Sequence, residues 1–262
     1  MPAAPEVVVE ATADRLATEV AARVVATLLQ AQHERGDASL VLTGGSILEA
    51  VFAALAKSSA RDSVDWRRVD VFWGDERFVA ADSPDRNDTP AAQLLLDHLE
   101  LDPARVHRMP STDGPDGADV DAAAARYATT LAQVADRTAS VGDIPAFDVC
   151  LLGLGPDGHC CSLFPEHPGV YEEERAVIGV HGSPKPPPLR ISLTFRALAA
   201  AEEIWFIASG DGKAAAVAQA LGGADRVQVP AAGPRGRHRT LWLLDEPAAA
   251  QLPRELHTPP VD

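Results

Sequence analysis

The chain has 262 residues and a formal net charge of −15. This length suits one large α/β domain or two small ones, and the acidic balance argues against nucleic-acid binding, because no cationic excess is present to neutralise phosphates. The three cysteines lack the spacing of a disulfide framework, which predicts reduced thiols in a cytoplasmic protein. The N-terminus lacks a basic and apolar leader, and no apolar run reaches about 18 residues, so we expect no membrane association.

Short apolar runs alternate with helical patterns along the sequence. Strands are predicted over residues 6–10, 40–43, 69–73, 147–152, 176–180, 190–193, 204–208 and 240–244. Helices are predicted over residues 11–34, 47–57, 89–99, 119–137, 194–201 and 214–221, with a short one ending near 252. This alternation indicates a largely parallel sheet with helices on both faces. No linker is long enough to separate two units, so we expect one domain over residues 1–262.

The segment over residues 147–165, FDVCLLGLGPDGHCCSLFP, combines an apolar run, three glycines and two ionisable side chains that could take part in catalysis. Its apolar start predicts a buried strand, and its three glycines predict a sharp turn. We expect a helix to begin behind this turn and to place exposed backbone N–H groups beside a positive helix end. His159 adds a group that exchanges protons near neutral pH, and Asp157 is close to it. The segment therefore predicts an anion or oxyanion site that contains a base.

Four turns at predicted strand ends contain glycine or charged residues, at 44–46, 74–77, 153–159 and 209–213. In parallel α/β sheets the ligand binds outside the carboxyl ends of the strands. We therefore expect all four turns to lie together at one edge of the sheet.

Two of these turns also have simpler interpretations. Gly44, Gly45 and Ser46 can cradle a phosphate or hydroxyl through backbone N–H groups, but the same residues can simply form a tight strand-to-helix turn. Asp75 and Arg77 belong to a run of charges, and such runs usually form a solvated loop.

Two further cations are candidates for phosphate binding. Lys213 lies at a predicted helix start, which is unfavourable for a cation unless an anion is bound. Arg190 follows three prolines and is either a surface arginine or, if it points inward, a planar fork that suits a phosphate.

His159 can be interpreted as a capping or core histidine, but the surrounding glycines and Asp157 favour a functional role. A zinc site with Cys160 and Cys161 is not expected, because adjacent side chains diverge. A cysteine nucleophile with His159 as its base is an alternative, disfavoured because neighbouring residues rarely face each other on a helix. Four other histidines are interpreted as surface residues: His33, His98, His107 and His238.

Together these segments resemble one known family. GPDGHCCSLFP resembles the GPDGHTASLFP signature of 6-phosphogluconolactonases, and VFWGDERFVAADSPDRN resembles their W-x-DER-x-V…D-x-x-x-N segment. TGGS, PKPPPLRISLT and SGDGKAAAV resemble the first glycine turn, the PP-x-RI-[ST]-LT segment and the final G-x-x-KA turn of that family. The motifs span nearly the whole chain in the same order.

The resemblance implies a Rossmann-like α/β fold shared with glucosamine-6-phosphate isomerase/deaminases. It implies hydrolysis of 6-phospho-D-glucono-1,5-lactone to 6-phosphogluconate in the oxidative pentose phosphate pathway, with no metal and no organic cofactor. The partner is the small sugar-phosphate lactone, and a monomer or weak homo-oligomer is expected. The catalytic candidates are His159 and Asp157, and the substrate-binding candidates are Gly44, Gly45, Ser46, Asp75, Arg77, Gly155, Arg190 and Lys213.

Two departures from the family motifs stand out. Ser46-Ile47-Leu48 replaces the usual Ser-Thr-Pro, and Cys160-Cys161 replaces Thr-Ala. Two rival functions also use this fold. A sugar-phosphate isomerase/deaminase would need a carboxylate base such as Asp75, and a non-catalytic sugar-phosphate sensor would be expected to carry a basic DNA-binding segment, which is missing from this acidic sequence.

Overall fold

The computed structural model describes residues 4–253 and 257–258. The helices are α1 Ala13–Arg35, α2 Ser46–Lys57, α3 Asp88–Leu94, α4 Val120–Ala135, α5 Phe195–Leu198, α6 Ala214–Leu221 and α7 Glu246–Ala249. The strands are β1 Glu6–Glu10, β2 Ala38–Leu42, β3 Val69–Trp73, β4 Asp75–Arg77, β5 Ser140–Val141, β6 Ile144–Pro145, β7 Val149–Gly153, β8 Val177–Val180, β9 Arg190–Leu193, β10 Glu203–Ala208, β11 Arg239–Asp245 and β12 His257–Thr258.

A parallel sheet forms the centre of the molecule. Its strands run in the order β12–β1–β11–β10–β7–β2–β3, and all neighbours pair in parallel. Every residue of β2 and β3 is buried, so neither strand alternates between apolar and exposed polar residues, and the two polar members, Ser39 and Asp70, are buried as well. The prediction of a largely parallel sheet is confirmed.

The order of the strands places a crevice at the middle of this sheet. The connections through α1 and α2 lead toward the β3 edge, whereas those from β7 to β10 and through α6 to β11 lead the other way. Since such crossovers are right-handed, the two sets of helices cover opposite faces. The neighbours β2 and β7 therefore flank the switch point, outside which α/β folds bind their ligands.

The first helix shows how local sequence sets an element's bounds. Thr12 caps the start of α1, where its side chain accepts a hydrogen bond from the backbone N–H of Arg15 at 3.3 Å. Gly36 ends the helix in the left-handed conformation, with φ of 83°. The buried stripe between these caps includes Leu16, Val20, Val24 and Leu28.

A second sheet was not expected from the sequence. β4, β9 and β8 form an antiparallel sheet in which Arg77 pairs with Arg190. The interpretation of residues 75–77 as a solvated loop is wrong, because Asp75 and Glu76 are buried. The small hairpin of β5 and β6 was also missed.

The helix expected behind the central glycine turn does not form. Residues 154–167 contain turns and an isolated bridge between Cys160 and Leu163, and the next helical segment is a 3₁₀ turn over Pro168–Tyr171. Positive φ angles of 83° at Gly158 and 50° at Cys161 are incompatible with a continuous α-helix. The expected positive helix end beside His159 is therefore wrong.

Apolar side chains from the strands and the facing helices pack into a continuous core over the described residues. Its largest fully buried members include Trp73, Trp205 and Trp242. Among the described residues, no helix combines the length and the apolar character needed to cross a membrane.

Candidate active site

A cavity of about 580 Å³ opens at the carboxyl edge of the sheet, beside the ends of β2 and β7. All four predicted turns contribute to its wall, so the structure brings them together as expected. Asp157 is the one candidate absent from the wall, and it hydrogen-bonds to His159 instead. The nine candidates that line the cavity are Gly44, Gly45, Ser46, Asp75, Arg77, Gly155, His159, Arg190 and Lys213.

His159 and Asp157 form a close pair. His159 Nδ1 lies 2.5 Å from Asp157 Oδ1, and the imidazole packs against the ring of Phe164 with centroids 4.7 Å apart. Burial opposes ionisation of Asp157, but the hydrogen bond to His159 and the positive charge of Lys185 outweigh it and hold the pKa of Asp157 well below its ordinary value. A carboxylate at Nδ1 keeps the proton of a neutral imidazole on that nitrogen and leaves Nε2 as the acceptor.

Gly155 makes room for this pair. A Cβ atom at this position would lie 1.9 Å from His159 Nδ1 and 2.3 Å from Asp157 Oδ1. The backbone of the loop is closed by hydrogen bonds from Gly155 N to His159 O and from Gly158 N to Gly155 O, both 2.9 Å. The glycine at 155 is therefore needed for the close approach of the imidazole.

Asp75 joins three segments of the site. Its Oδ1 accepts a hydrogen bond from the hydroxyl of Thr43 at 3.1 Å, and its Oδ2 accepts one from the hydroxyl of Ser162 at 2.7 Å. The carboxylate thus ties the end of β2 and the loop of His159 to β4. Both of its oxygens already have donors, which leaves Asp75 better suited to orienting groups than to removing protons.

Glu76 organises the loop that follows β4. It is fully buried, and its carboxylate accepts hydrogen bonds from the backbone N–H groups of Arg77, Asn87 and Asp88 at 2.6–2.9 Å. Burial raises the pKa of Glu76 to about 7, while Arg86 and the backbone donors favour its charged form. Its contacts hold Arg77 and Asn87 at the cavity wall.

Arg77 is tethered but retains a free donor. Its Nη1 donates to the carbonyl oxygen of Asp85 at 2.7 Å, whereas its buried Nε has no hydrogen-bond partner among the described residues.

Asn87 is a site residue that sequence reasoning missed. Its Nδ2 donates to the carbonyl oxygen of Asp75 at 2.9 Å, and its Oδ1 lies where a Cβ on Gly44 would be, at 2.0 Å. Asn87 is the last residue of the segment VFWGDERFVAADSPDRN, and this position in the segment was the available sequence signal. Its packing explains why position 44 is glycine.

Arg190 is buried, so its interpretation as a surface arginine is wrong. Its Nε donates to Pro187 O at 3.0 Å, and one terminal nitrogen donates to Lys185 O at 3.0 Å and to Pro186 O at 3.1 Å. Burial lowers the pKa of the guanidinium. Arg190 thus fixes the proline loop, and its other terminal nitrogen, which makes no hydrogen bond within the part of the chain that the structure describes, is left for a ligand.

Two lysines complete the cavity wall. Lys213 Nζ donates to the carbonyl oxygen of Leu154 at 2.6 Å, and burial lowers the pKa of its ammonium group. Lys185, which sequence reasoning missed, places Nζ 3.2 Å from both Asp157 Oδ1 and His159 Nδ1. A cation inside a proline-rich loop was the only sequence signal for it.

The wall of the cavity is cationic in an acidic protein. Among the described residues, the cavity is lined by one carboxylate, Asp75, and by four cations, Arg77, Lys185, Arg190 and Lys213, while the chain as a whole carries −15. Such a local excess favours an anionic ligand.

The glycine turn after β2 adds uncharged donors. Gly45 adopts φ of 126°, which requires glycine, and α2 begins at Ser46 without a side-chain cap. The N–H groups of the first helical turn lack intrahelical partners and can bind an anion in the cavity.

Two other kinds of chemistry find little support. Within residues 4–253, no group of three or more His, Cys, Asp or Glu side chains is arranged to hold a metal ion. The thiols of Cys160 and Cys161 are buried, and this burial raises the pKa of each well above its ordinary value, which disfavours a thiolate nucleophile.

One of the four histidines assigned to the surface lies in the interior. The side chain of His107 is 8% exposed, its Nε2 lies 2.7 Å from Asp70 Oδ1 and its ring stacks on Phe72. The surface assignment of His107 is therefore wrong, whereas His33, His98 and His238 are exposed.

Comparison with known proteins decides the family. A profile described as glucosamine-6-phosphate isomerases/6-phosphogluconolactonase matches residues 11–242. The chain belongs to this family.

Relatives within the family agree with the sequence motifs. The chain is 58% identical to a 6-phosphogluconolactonase of Streptomyces coelicolor over 97% of both proteins. It is 48% identical to one from Mycobacterium tuberculosis, over 92% of this chain and 95% of that protein. The structure of 6-phosphogluconolactonase from Trypanosoma brucei superposes with a TM-score of 0.80 at 28% identity, covering 95% of this chain and 99% of that one. The predicted enzyme family and the predicted Rossmann-like fold are confirmed.

The two departures from the family motifs occupy different positions in the site. Ile47 lines the cavity and packs against the core, so its apolar side chain replaces a potential hydroxyl contact. Cys160 is fully buried, and Cys161 reaches the cavity wall beside Gly74.

Proposed function

We propose that this protein hydrolyses 6-phospho-D-glucono-1,5-lactone to 6-phosphogluconate, in the oxidative pentose phosphate pathway, by water that His159 activates without a metal. The observation that carries the proposal is the 2.5 Å pair of His159 Nδ1 and Asp157 Oδ1 at the wall of a cationic cavity. Relatives named 6-phosphogluconolactonase support the substrate.

His159 would act as a general base. With its Nδ1 proton held by Asp157, the imidazole accepts a proton from water at Nε2 while the water oxygen bonds to C1 of the lactone. The C1–O5 bond then breaks, and the imidazolium returns the proton to the departing ring oxygen. General-base catalysis of this kind contributes roughly 10²–10⁴-fold. A lactone is an activated ester, so no stronger nucleophile is needed.

The phosphate of the substrate would lie among the cations. Lys213, Arg77 and the remaining terminal nitrogen of Arg190 are available at the cavity wall, and the first turn of α2 adds backbone N–H donors. Binding the phosphate there would hold C1 in place for attack. Backbone N–H groups of the glycine turns would stabilise the oxyanion, and Asp75 would orient sugar hydroxyls.

The isomerase/deaminase alternative is less well supported. It needs a carboxylate base, and both oxygens of Asp75 already accept hydrogen bonds from Thr43 and Ser162. The solved structure of a monomeric glucosamine-6-phosphate deaminase is 21% identical with a TM-score of 0.74, which supports a common fold only. The sensor alternative is not favoured by any residue of the site.

The test is hydrolysis of freshly prepared lactone by the purified protein. We expect acceleration over spontaneous opening that persists with a metal chelator, and a much lower kcat/KM for unphosphorylated gluconolactone. A rate equal to spontaneous opening would refute the proposal, and release of ammonia from glucosamine 6-phosphate would favour the deaminase.

We also propose that the chain acts as a single cytoplasmic domain, as a monomer or weak homo-oligomer, without binding nucleic acid. The continuous core over the described residues and the net charge of −15 support this view.

A further inference from the structure

The chain uses arginine in preference to lysine. Of its 23 basic residues, three are lysines: Lys57, Lys185 and Lys213. Lys57 is exposed on the last turn of α2, whereas the other two line the candidate cavity. A lysine ammonium is a compact charge whose three donors rotate to suit several partners, unlike a planar guanidinium. The contacts of Lys185 therefore bear directly on the site.

Lys185, Asp157 and His159 form a triangle. Lys185 Nζ lies 3.2 Å from Asp157 Oδ1 and 3.2 Å from His159 Nδ1, and these two atoms are 2.5 Å apart. One carboxylate oxygen therefore serves two donors. A protonated imidazole would place a second positive charge beside the ammonium group, which disfavours that protonation.

The backbone of the proline loop holds Lys185 in this position. Its N–H donates to the hydroxyl oxygen of Ser183 at 3.3 Å, and its carbonyl oxygen accepts from that hydroxyl at 2.9 Å and from Arg190 at 3.0 Å. The backbone of Lys185 is thus held in place by hydrogen bonds, so little backbone conformational freedom is lost when its side chain contacts Asp157.

Other charges near His159 act in both directions. Asp157 favours a protonated ring, and Lys185 opposes it from the proline loop. Lys213 lies across the loop on Leu154 O, and Arg190 is 6.0 Å from the ring of Phe164 that packs on His159. Both oxygens of Asp75 accept hydrogen bonds, from the hydroxyls of Thr43 and Ser162. Among these groups, Lys185 alone contacts both members of the pair.

We propose that Lys185 is a positioning residue, which holds Asp157 as a carboxylate and, through its like charge beside the ring, opposes protonation of His159, so that Nε2 can act as the base. The inference rests on the proposed function. The low pKa of Asp157 is consistent with it, because burial raises this pKa and the hydrogen bond and charge of His159, followed by the charge of Lys185, lower it.

Lys185→Met removes the charge and keeps the length of the side chain, and Lys185→Arg keeps the charge. We expect the acid limb of the kcat/KM profile to move upward by roughly one pH unit in the Met variant, since a lost neighbouring cation eases protonation of the ring. The Arg variant should keep the limb near its wild-type position. Lys57→Met, the matched lysine outside the site, should leave the profile unchanged.

Nuclear magnetic resonance of the His159 ring gives a second readout that does not depend on turnover. The pH at which the ring takes up its proton should move upward in Lys185→Met and not in Lys185→Arg. A rate loss of the same factor at every pH, an unchanged profile, or an equal shift in the Arg variant would overturn the proposal. If the wild-type protein does not accelerate lactone opening, the proposed function fails, and the ring titration still decides the role of Lys185.

Discussion

Replacing Gly155 with alanine should disable the His159–Asp157 pair without unfolding the protein. The added Cβ would lie 1.9 Å from His159 Nδ1, while ordinary contact begins near 3.4 Å, so the imidazole must move by about 1.5 Å. The backbone at 155 does not adopt a positive φ, so alanine itself is not strained there. Because a 1 Å misplacement of a reacting group can cost about 10²-fold, we expect kcat to fall by at least roughly that factor.

The assay is lactone hydrolysis corrected for spontaneous opening, with circular dichroism and thermal unfolding measured on the same samples. Gly212→Ala is the matched control, because a Cβ at that position has no heavy atom within 4 Å. It should retain nearly full activity. A Gly155→Ala protein that folds normally and keeps a near-wild-type kcat would refute the idea that the position of this imidazole limits the rate.

Two further predictions concern the cations and the thiols. Lys213→Met should raise KM for the phosphorylated lactone by roughly tenfold or more, which is the effect of losing one charge-assisted hydrogen bond. The KM for unphosphorylated gluconolactone should change much less. Equal increases in KM for both substrates would show that Lys213 does not bind the phosphate. Cys161→Ala should retain kcat within about threefold, because burial raises the pKa of this thiol and disfavours a thiolate nucleophile. For the same reason, thiol reagents should inactivate the wild-type protein poorly. Loss of turnover in Cys161→Ala would support the cysteine mechanism instead.

Elements with strong local signals could be predicted from the sequence. β1, β3 and β9 begin and end at the predicted residues, because each is a short apolar or β-branched run with clear flanking residues. The position of the four turns at one edge of the sheet could also be predicted from the sequence, because the carboxyl ends of parallel strands lie at the same edge.

Features that depend on distant partners could not be predicted. The run of charges at Asp75 and Glu76 predicts a solvated loop. In the structure these residues belong to β4, which is buried by pairing with β9, a strand more than a hundred residues further along the chain. Likewise, the contact between Lys185 and Asp157 depends on the conformation of the proline loop, which Arg190 holds through a hydrogen bond to the carbonyl oxygen of Lys185. The expected helix after Gly158 failed because positive φ angles at Gly158 and Cys161 interrupt it.

The central claim is that His159 accepts the proton from water, and His159→Gln tests it most directly. Glutamine keeps a polar side chain of similar reach but cannot accept the proton. Hydrolysis of 6-phospho-D-glucono-1,5-lactone, corrected for spontaneous opening, should lose roughly 10²-fold or more in kcat, with little change in KM because the phosphate contacts lie elsewhere. A His159→Gln protein with near-wild-type kcat would contradict the account.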